Sequence, residues 1–286
     1  MRNNQIILSR RKYLEFSLAA AALPLIPNYS FAKESFLESL TDEEIFDAAR
    51  AYNYKSNEYS NKGRQPRAKK STRKISKSAI DALIRFEVTS EKVYNKKYMS
   101  PTWPRAESGV TIGIGYDLGY VKYEWLKEDW NTYIDNEAIN NLSKVCGKNG
   151  ESAKQLAINL KNIGISIPYK TAFKVFTEVS IPYYVGSTLM AAPEADKLSD
   201  TALGALVSLA YNRGPSFNND GDRFAEMRNI RAALISGNYE KIPSEIRAMK
   251  RIWPKIPVDR NDMDGIAHVG LRKRRDEEAD LFQSGL

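Results

Sequence analysis

The chain has 286 residues, 42% of them hydrophobic, and a formal charge of +8, enough apolar material for one large core or two small ones. The charge is local: residues 61–77 carry eight cations and no acid, the first 32 residues add a net three, and the remainder is slightly acidic, which argues against a nucleic-acid-binding domain. One cysteine, Cys146, and one histidine, His268, exclude an internal disulfide, a His/Cys zinc site and any nucleophile–histidine pair not built on His268.

Residues 1–32 read as an export signal. Ser9-Arg10-Arg11-Lys12-Tyr13-Leu14-Glu15-Phe16 leads into an uncharged, mainly apolar run over 16–26, too short to span a bilayer but suited to a signal-peptide core. Ser30-Phe31-Ala32 offers small residues for cleavage before Lys33. The paired arginines resemble a twin-arginine signal, so the mature protein is expected to be periplasmic or secreted, with no stable membrane insertion after cleavage. Thr41-Asp42-Glu43-Glu44 is a capping box, and Ile45, Ala48, Ala49 and Tyr52 follow at helical spacing, predicting a short amphipathic helix. Residues 53–76 are polar and basic and read as a mobile linker or solvated strap. Residues 33–75 are thus expected to be a short helix plus a linker.

Residues 78–88 form the next predicted helix, with Ile80, Leu83, Ile84 and Val88 as its apolar stripe. Glu87 stands seven residues beyond Ile80, nearly two turns on, and so falls on that stripe. Burial favours the protonated form of a carboxylate, the form a general acid starts from. The bland alternative is a stripe-edge Glu turned to solvent or paired with Arg85 or Lys92. Residues 89–107, with Tyr94, Tyr98, Trp103, Pro101 and Pro104, predict a loop or hairpin whose aromatic faces suit sugar rings or core packing equally.

The segment Ser108-Gly109-Val110-Thr111-Ile112-Gly113-Ile114-Gly115-Tyr116-Asp117-Leu118-Gly119 alternates. Val110, Ile112 and Ile114 fall on one face; Thr111, Gly113, Gly115 and Asp117 fall on the other. The expectation is a strand with an apolar underside and an open, glycine-floored face. Helices follow over 123–129, 136–142, 152–163, 170–178, 200–211, 224–235, 239–253 and 270–282. The helix over 200–211 is the most apolar and is expected at the centre of the core. It stops at Asn212-Arg213-Gly214-Pro215, where Asn212 is either a cap or a ligand contact. In the last helix, Lys273 with Glu277 and Arg274 with Glu278 are i, i+4 pairs that read as weak surface pairs.

Four features in order, Phe86-Glu87, the strand 108–119, Ala210-Tyr211-Asn212-Arg213-Gly214, and the closing Gly270-Leu271-Arg272-Lys273-Arg274-Arg275-Asp276-Glu277-Glu278-Ala279-Asp280-Leu281-Phe282, resemble the phage-type lysozyme superfamily, and within it the pesticin-like muramidases. The resemblance runs from about residue 76 to 284, and the domain is expected over 76–286. It implies an α+β, mostly helical lysozyme-like fold, with a small β-hairpin lobe and a helical lobe around a buried central helix. It also implies a monomer acting on peptidoglycan glycan strands without metal or organic cofactor. By the resemblance, Glu87 is the general acid, Thr111 and Asp117 position water for an inverting attack, and Tyr116, Tyr211 and Asn212 contact substrate. Phage enzymes place their second acid nine residues after the Glu, which here is Lys96. The pesticin-like spacing selects Asp117, six residues after Thr111, with Glu107 as the alternative acid. A lytic transglycosylase and a non-catalytic peptidoglycan-binding module are the competing expectations.

Overall fold

The structure, a computed structural model, describes residues 36, 38–53, 67–256, 258 and 263–286. The leader expected over 1–32 and the part of the basic segment over 54–66 lie outside the described residues. Two compact units divide the chain, Met1–Ser39 and Leu40–Leu286, and every element below belongs to the second. It is mostly helical with one small antiparallel sheet.

The capping box forms as read: Glu44 Oε2 accepts from the Thr41 amide at 2.9 Å and starts α1, Asp42–Asn53. Ser76 caps α2, Lys77–Val88, and Ser90 caps α3, Glu91–Lys97. The expectation of a loop or hairpin over 89–107 is therefore corrected. Thr89 breaks the chain between α2 and α3 and lets Ser90 start a new helix at once.

The central strand is shorter than expected. Only β1, Thr111–Ile112, and β2, Tyr116–Asp117, pair, with Thr111 opposite Asp117 and Ile112 opposite Tyr116. Thr102 pairs on the other side of Thr111. The apolar underside is borne out, since Val110, Ile112 and Ile114 are all buried. The open glycine floor is not. Gly113 and Gly115 have φ of +57° and +72°, values that suit glycine in a tight turn, and a Cβ on Gly113 would lie 2.8 Å from the buried Trp130 ring.

Helices α4 (Tyr123–Trp130), α5 (Asn136–Ser143), α6 (Glu151–Asn162) and α7 (Tyr169–Val175) follow. A wide π turn, Phe176–Ser180, carries α7 directly into α8, Ile181–Ala191. Pro182 stands just after this π turn, where the i→i−4 ladder that a proline cannot join is already interrupted. α9, Asp200–Arg213, is buried from Ala202 to Arg213 and is the core helix expected from its composition. Then come α10 (Ala225–Ser236), α11 (Ile242–Ala248) and α12, Met263–Gln283, which begins earlier than expected. α12 packs on α1 at Gly270, where a Cβ would meet the Ile45 carbonyl at 2.5 Å.

Residues 67–76 are not a solvated strap. The Ser71 amide donates to the Pro182 carbonyl at 2.9 Å, and the Ser76 amide to that of Asp200 at 3.1 Å. The Lys69 carbonyl lies directly against Gly186 of α8. Arg73 is paired with Asp200 and donates to the Leu198 carbonyl at 2.7 Å. A cationic run looks like solvated linker when its anionic partners, Asp129 for Arg67 and Asp200 for Arg73, are far away in sequence. Among the described residues no helix is long and apolar enough to cross a membrane.

Candidate active site

Glu87 occupies the last turn of α2, and its side chain is 11% exposed. The expected partners Arg85 and Lys92 do not hold it. Arg274 of α12 does, its Nη1 donating to Glu87 Oε1 at 2.9 Å. Arg274 is itself buried: Nε donates to Glu278 Oε1 at 2.9 Å, and Nη2 to the Ser208 carbonyl and hydroxyl at 3.1 and 3.2 Å. Ser208 Oγ donates to Glu278 Oε1 at 2.5 Å. Arg275 Nη2 meets Glu278 Oε2 at 2.7 Å and donates to Asn212 Oδ1 at 3.1 Å. The cluster therefore balances two carboxylates with two guanidiniums. Burial opposes the charge on Arg274, and Glu278 and Glu87 outweigh it, holding its pKa above the usual range. The i, i+4 pair Arg274–Glu278 is thus a buried element and not a surface one. Asn212 serves as acceptor for Arg275.

α1 braces the same place. Arg50 Nη1 donates to the Phe86 carbonyl at 2.8 Å, satisfying an end-of-helix acceptor beside Glu87. Arg50 Nη2 donates at 3.0 Å to the Tyr98 hydroxyl, which donates at 2.5 Å to Asp47. Arg85 is paired with Glu277 of α12. The break after the helix is strained: Thr89 has φ 65° and ψ −56°, and the Ser90 amide donates back to Val88 O at 2.7 Å. This is a γ-turn of the rare, costly hand.

The hairpin meets Glu87 at its turn. A Cβ on Gly115 would lie 3.3 Å from Glu87 Oε2 and 2.5 Å from Tyr211 Oη. Tyr211, at the end of α9, is buried and donates to the Ile114 carbonyl at 3.1 Å. At the other end of the hairpin, Thr111 and Asp117 stand directly opposite each other, so their side chains share a face. The Thr111 hydroxyl is buried and makes no hydrogen bond to a described residue. Asp117 Oδ1 accepts from the amides of Gly109 at 3.0 Å and Gly119 at 2.8 Å, clamping two backbone segments that only glycine lets approach so closely. Glu107 is exposed in the loop before β1. Burial first, then the charge of Asp117, pushes the Tyr120 phenol up to about 12, with Glu107 a lesser contributor.

Tyr116 does not face Glu87 with its hydroxyl. It donates to Asp129 at 2.7 Å, and its ring meets Trp130 edge-on. Asp129, fully buried, also pairs with Arg67, whose guanidinium lies 3.7 Å above the Tyr183 ring. Burial pushes the Asp129 pKa up against the opposing pull of Tyr116 and Arg67.

Glu87 and Tyr211, from two helix ends, meet the turn of the hairpin whose strands carry Thr111 and Asp117. The sequence reading missed Arg274, Arg275, Glu278, Ser208 and Arg50. A signal for three of them was present: Leu271, Arg274, Arg275, Glu278 and Phe282 form one helical stripe, so the rule that singled out Glu87 also marks charged groups in α12.

Fold and site together define a mostly helical α+β domain with a hydrogen-bonded carboxylate at a helix end, set against a short hairpin bearing a threonine–aspartate pair. A family model described as Domain of unknown function (DUF8812) matches residues 83–184, which include Glu87 and the whole hairpin but neither α9 nor α12. No curated protein matches the chain.

Proposed function

We propose that the protein is a peptidoglycan hydrolase with the lysozyme-like fold, cleaving the β-1,4 bond between N-acetylmuramic acid and N-acetylglucosamine. The observation that carries this reading is Glu87, nearly buried, fixed by Arg274 and set against the turn of the hairpin that pairs Thr111 with Asp117. Glu87 would protonate the glycosidic oxygen, while Thr111 and Asp117 would hold the attacking water on the opposite face of the sugar. An inverting reaction requires the two carboxylates to stand roughly 6.5–9.5 Å apart so that water fits between them. The chemistry needs only carboxylates and a hydroxyl. The leader read in residues 1–32 would put the activity outside the inner membrane, where its substrate is.

One observation favours a second reading. Asp117 Oδ1 is engaged by two backbone amides, a structural task, and a site relying on Glu87 alone suits a lytic transglycosylase, in which muramic acid cyclises and no water is needed.

The test is digestion of purified sacculi by wild type and Glu87→Gln protein, with product mass spectrometry. Reducing ends from wild type and a loss of at least 100-fold in the variant, the scale of general-acid catalysis (about 10²–10⁴), are expected. 1,6-Anhydro ends would select the second reading. Saturable binding without product would reduce the domain to a peptidoglycan-binding module, and equal digestion by both proteins would refute the role of Glu87.

A further inference from the structure

We infer that Tyr184 of α8 is a ligand-contacting residue of this site, its hydroxyl donating a hydrogen bond to an uncharged carbonyl or hydroxyl oxygen of an amino-sugar ring. The inference deepens the proposed function and rests on it. Three observations carry it.

The ring is held in place. Its centroid lies 4.3 Å from that of Tyr211, tilted by 40°. Tyr211 is fixed in turn by its bond to the Ile114 carbonyl and by edge contact with Phe176 at 5.9 Å. Because Tyr211 Oη and Glu87 Oε2 both approach Gly115, a ring stacked on Tyr211 belongs to the immediate surroundings of Glu87.

The hydroxyl makes no hydrogen bond to any described residue. The neighbouring tyrosines all spend theirs: Tyr98 on Asp47, Tyr116 on Asp129, Tyr183 on Glu128 and Tyr211 on the Ile114 carbonyl. A partly buried tyrosine ordinarily finds such a partner. Tyr184 is partly exposed, as are Glu87 and Gly115, so its hydroxyl is available to a ligand at Glu87.

The electrostatic setting specifies the acceptor. Burial, then Glu87, then Asp117, raise the phenol pKa, so both carboxylates act on the same hydroxyl. The phenol stays protonated wherever the protein works. Two carboxylates nearby disfavour a further anion, which leaves a neutral oxygen as the fitting acceptor, and amino sugars are rich in them.

Stability should not depend on this group, since it forms no internal bond. Tyr184→Phe should melt like wild type, yet raise KM for soluble peptidoglycan fragments by about 3–10-fold, the value of one neutral hydrogen bond, with kcat within about twofold. A second comparison needs no turnover: Glu87→Gln and Glu87→Gln/Tyr184→Phe proteins are titrated with the same fragments, and the double variant should bind about 3–10-fold more weakly. Unchanged KM and unchanged binding overturn the inference, as does a loss confined to kcat. An inactive wild type whose binding still weakens on loss of the hydroxyl would sink the hydrolase reading and leave the contact standing. Failure of wild type and variants alike to bind the fragments would sink both.

Discussion

Replacing Arg274 by Met should destabilise the domain far more than Glu87→Gln. The Arg274 side chain is 5% exposed, Glu278 is fully buried, and Glu87 is 11% exposed. The guanidinium makes four hydrogen bonds within this cluster, two to carboxylates and two to Ser208. Met fills similar volume but leaves two carboxylates against the single cation Arg275. Removing one partner of a buried ion pair costs roughly 3–5 kcal/mol, because the remaining charge stays desolvated. For a domain of this size each kcal/mol moves Tm by roughly 2–4 °C, so a fall of about 6–20 °C is expected. Glu87→Gln leaves two guanidiniums against Glu278, but it keeps an oxygen for Arg274 Nη1 at the most exposed of the four charged groups, where water can offset the lost charge, so its cost should stay below about 1.5 kcal/mol. In the double variant, Glu87→Gln/Arg274→Met, the neutral amide presents no unpaired charge, and coupling of about 1–3 kcal/mol should appear as partial recovery. The assay is urea and thermal denaturation followed by circular dichroism. A loss below about 1 kcal/mol for Arg274→Met, or a larger loss for Glu87→Gln, would refute the view that this arginine sustains the buried carboxylates.

Three further outcomes follow from particular atoms. Gly115→Ala should cost about 1–2 kcal/mol from its φ of +72° alone, and its Cβ would crowd Tyr211 Oη at 2.5 Å; sacculus digestion should fall with it, and an unaltered melting curve would contradict the turn geometry. Thr89→Gly should be neutral or stabilising, because relief of about 1–3 kcal/mol of γ-turn strain outweighs the entropy of glycine, about 0.5–1 kcal/mol; a drop in the chemical-denaturation midpoint would show that the turn is unstrained. Burial first, then the charge of Glu124, pushes the Cys146 thiol from 9.0 up to about 11. Its stabilising contribution is complete below pH 9 and is lost as pH rises through about 11. Iodoacetamide should therefore label native Cys146 slowly at pH 8 and denatured protein quickly, as read by mass spectrometry; equal rates would refute the burial.

Periodicity was enough for most helices because their stripes are long and simple. Asp200–Arg213 is apolar on every side and proves buried throughout Ala202–Arg213. Ser76 and Thr41 cap helices where their hydroxyls stand in sequence. Periodicity also marked Glu87, since a carboxylate on an apolar stripe breaks the pattern. It failed where a local signal had a distant cause. α8 has no expectation behind it: Pro182 follows the π turn that interrupts the helical ladder, and Gly186 is required by the Lys69 carbonyl packed on it. The 108–119 segment is shorter than its alternation predicts because its glycines are not the open floor of a strand. Two of them make the turn, and Gly109 and Gly119 let two backbones meet under Asp117. Arg274 and Glu278 were assigned to the surface because their spacing suits an exposed pair; Ser208, seventy residues away from Glu278 in sequence, makes them interior.

The groups proposed to act and the groups that hold them come from different stretches of chain. Glu87, Thr111, Asp117 and Tyr184 all fall within residues 83–184, the part matched by the family model. Their supports do not. Arg50 of α1 fixes the carbonyl before Glu87, Arg274 of α12 fixes its carboxylate, and Tyr211 of α9 ties down the hairpin turn. Arg67 joins the buried Asp129 that receives the hydroxyl of Tyr116, the residue before Asp117. A carboxylate at a helix end has little reason to keep one orientation by itself, since its rotamers differ by small energies and water competes for its oxygens. Here an arginine locked by three other bonds sets that orientation from one side, and a glycine turn limits it from the other. Pre-organisation of this kind separates a general acid from an ordinary stripe-edge glutamate. The segments before residue 77 and after residue 200 are therefore parts of the site, although none of them contributes a proposed catalytic group.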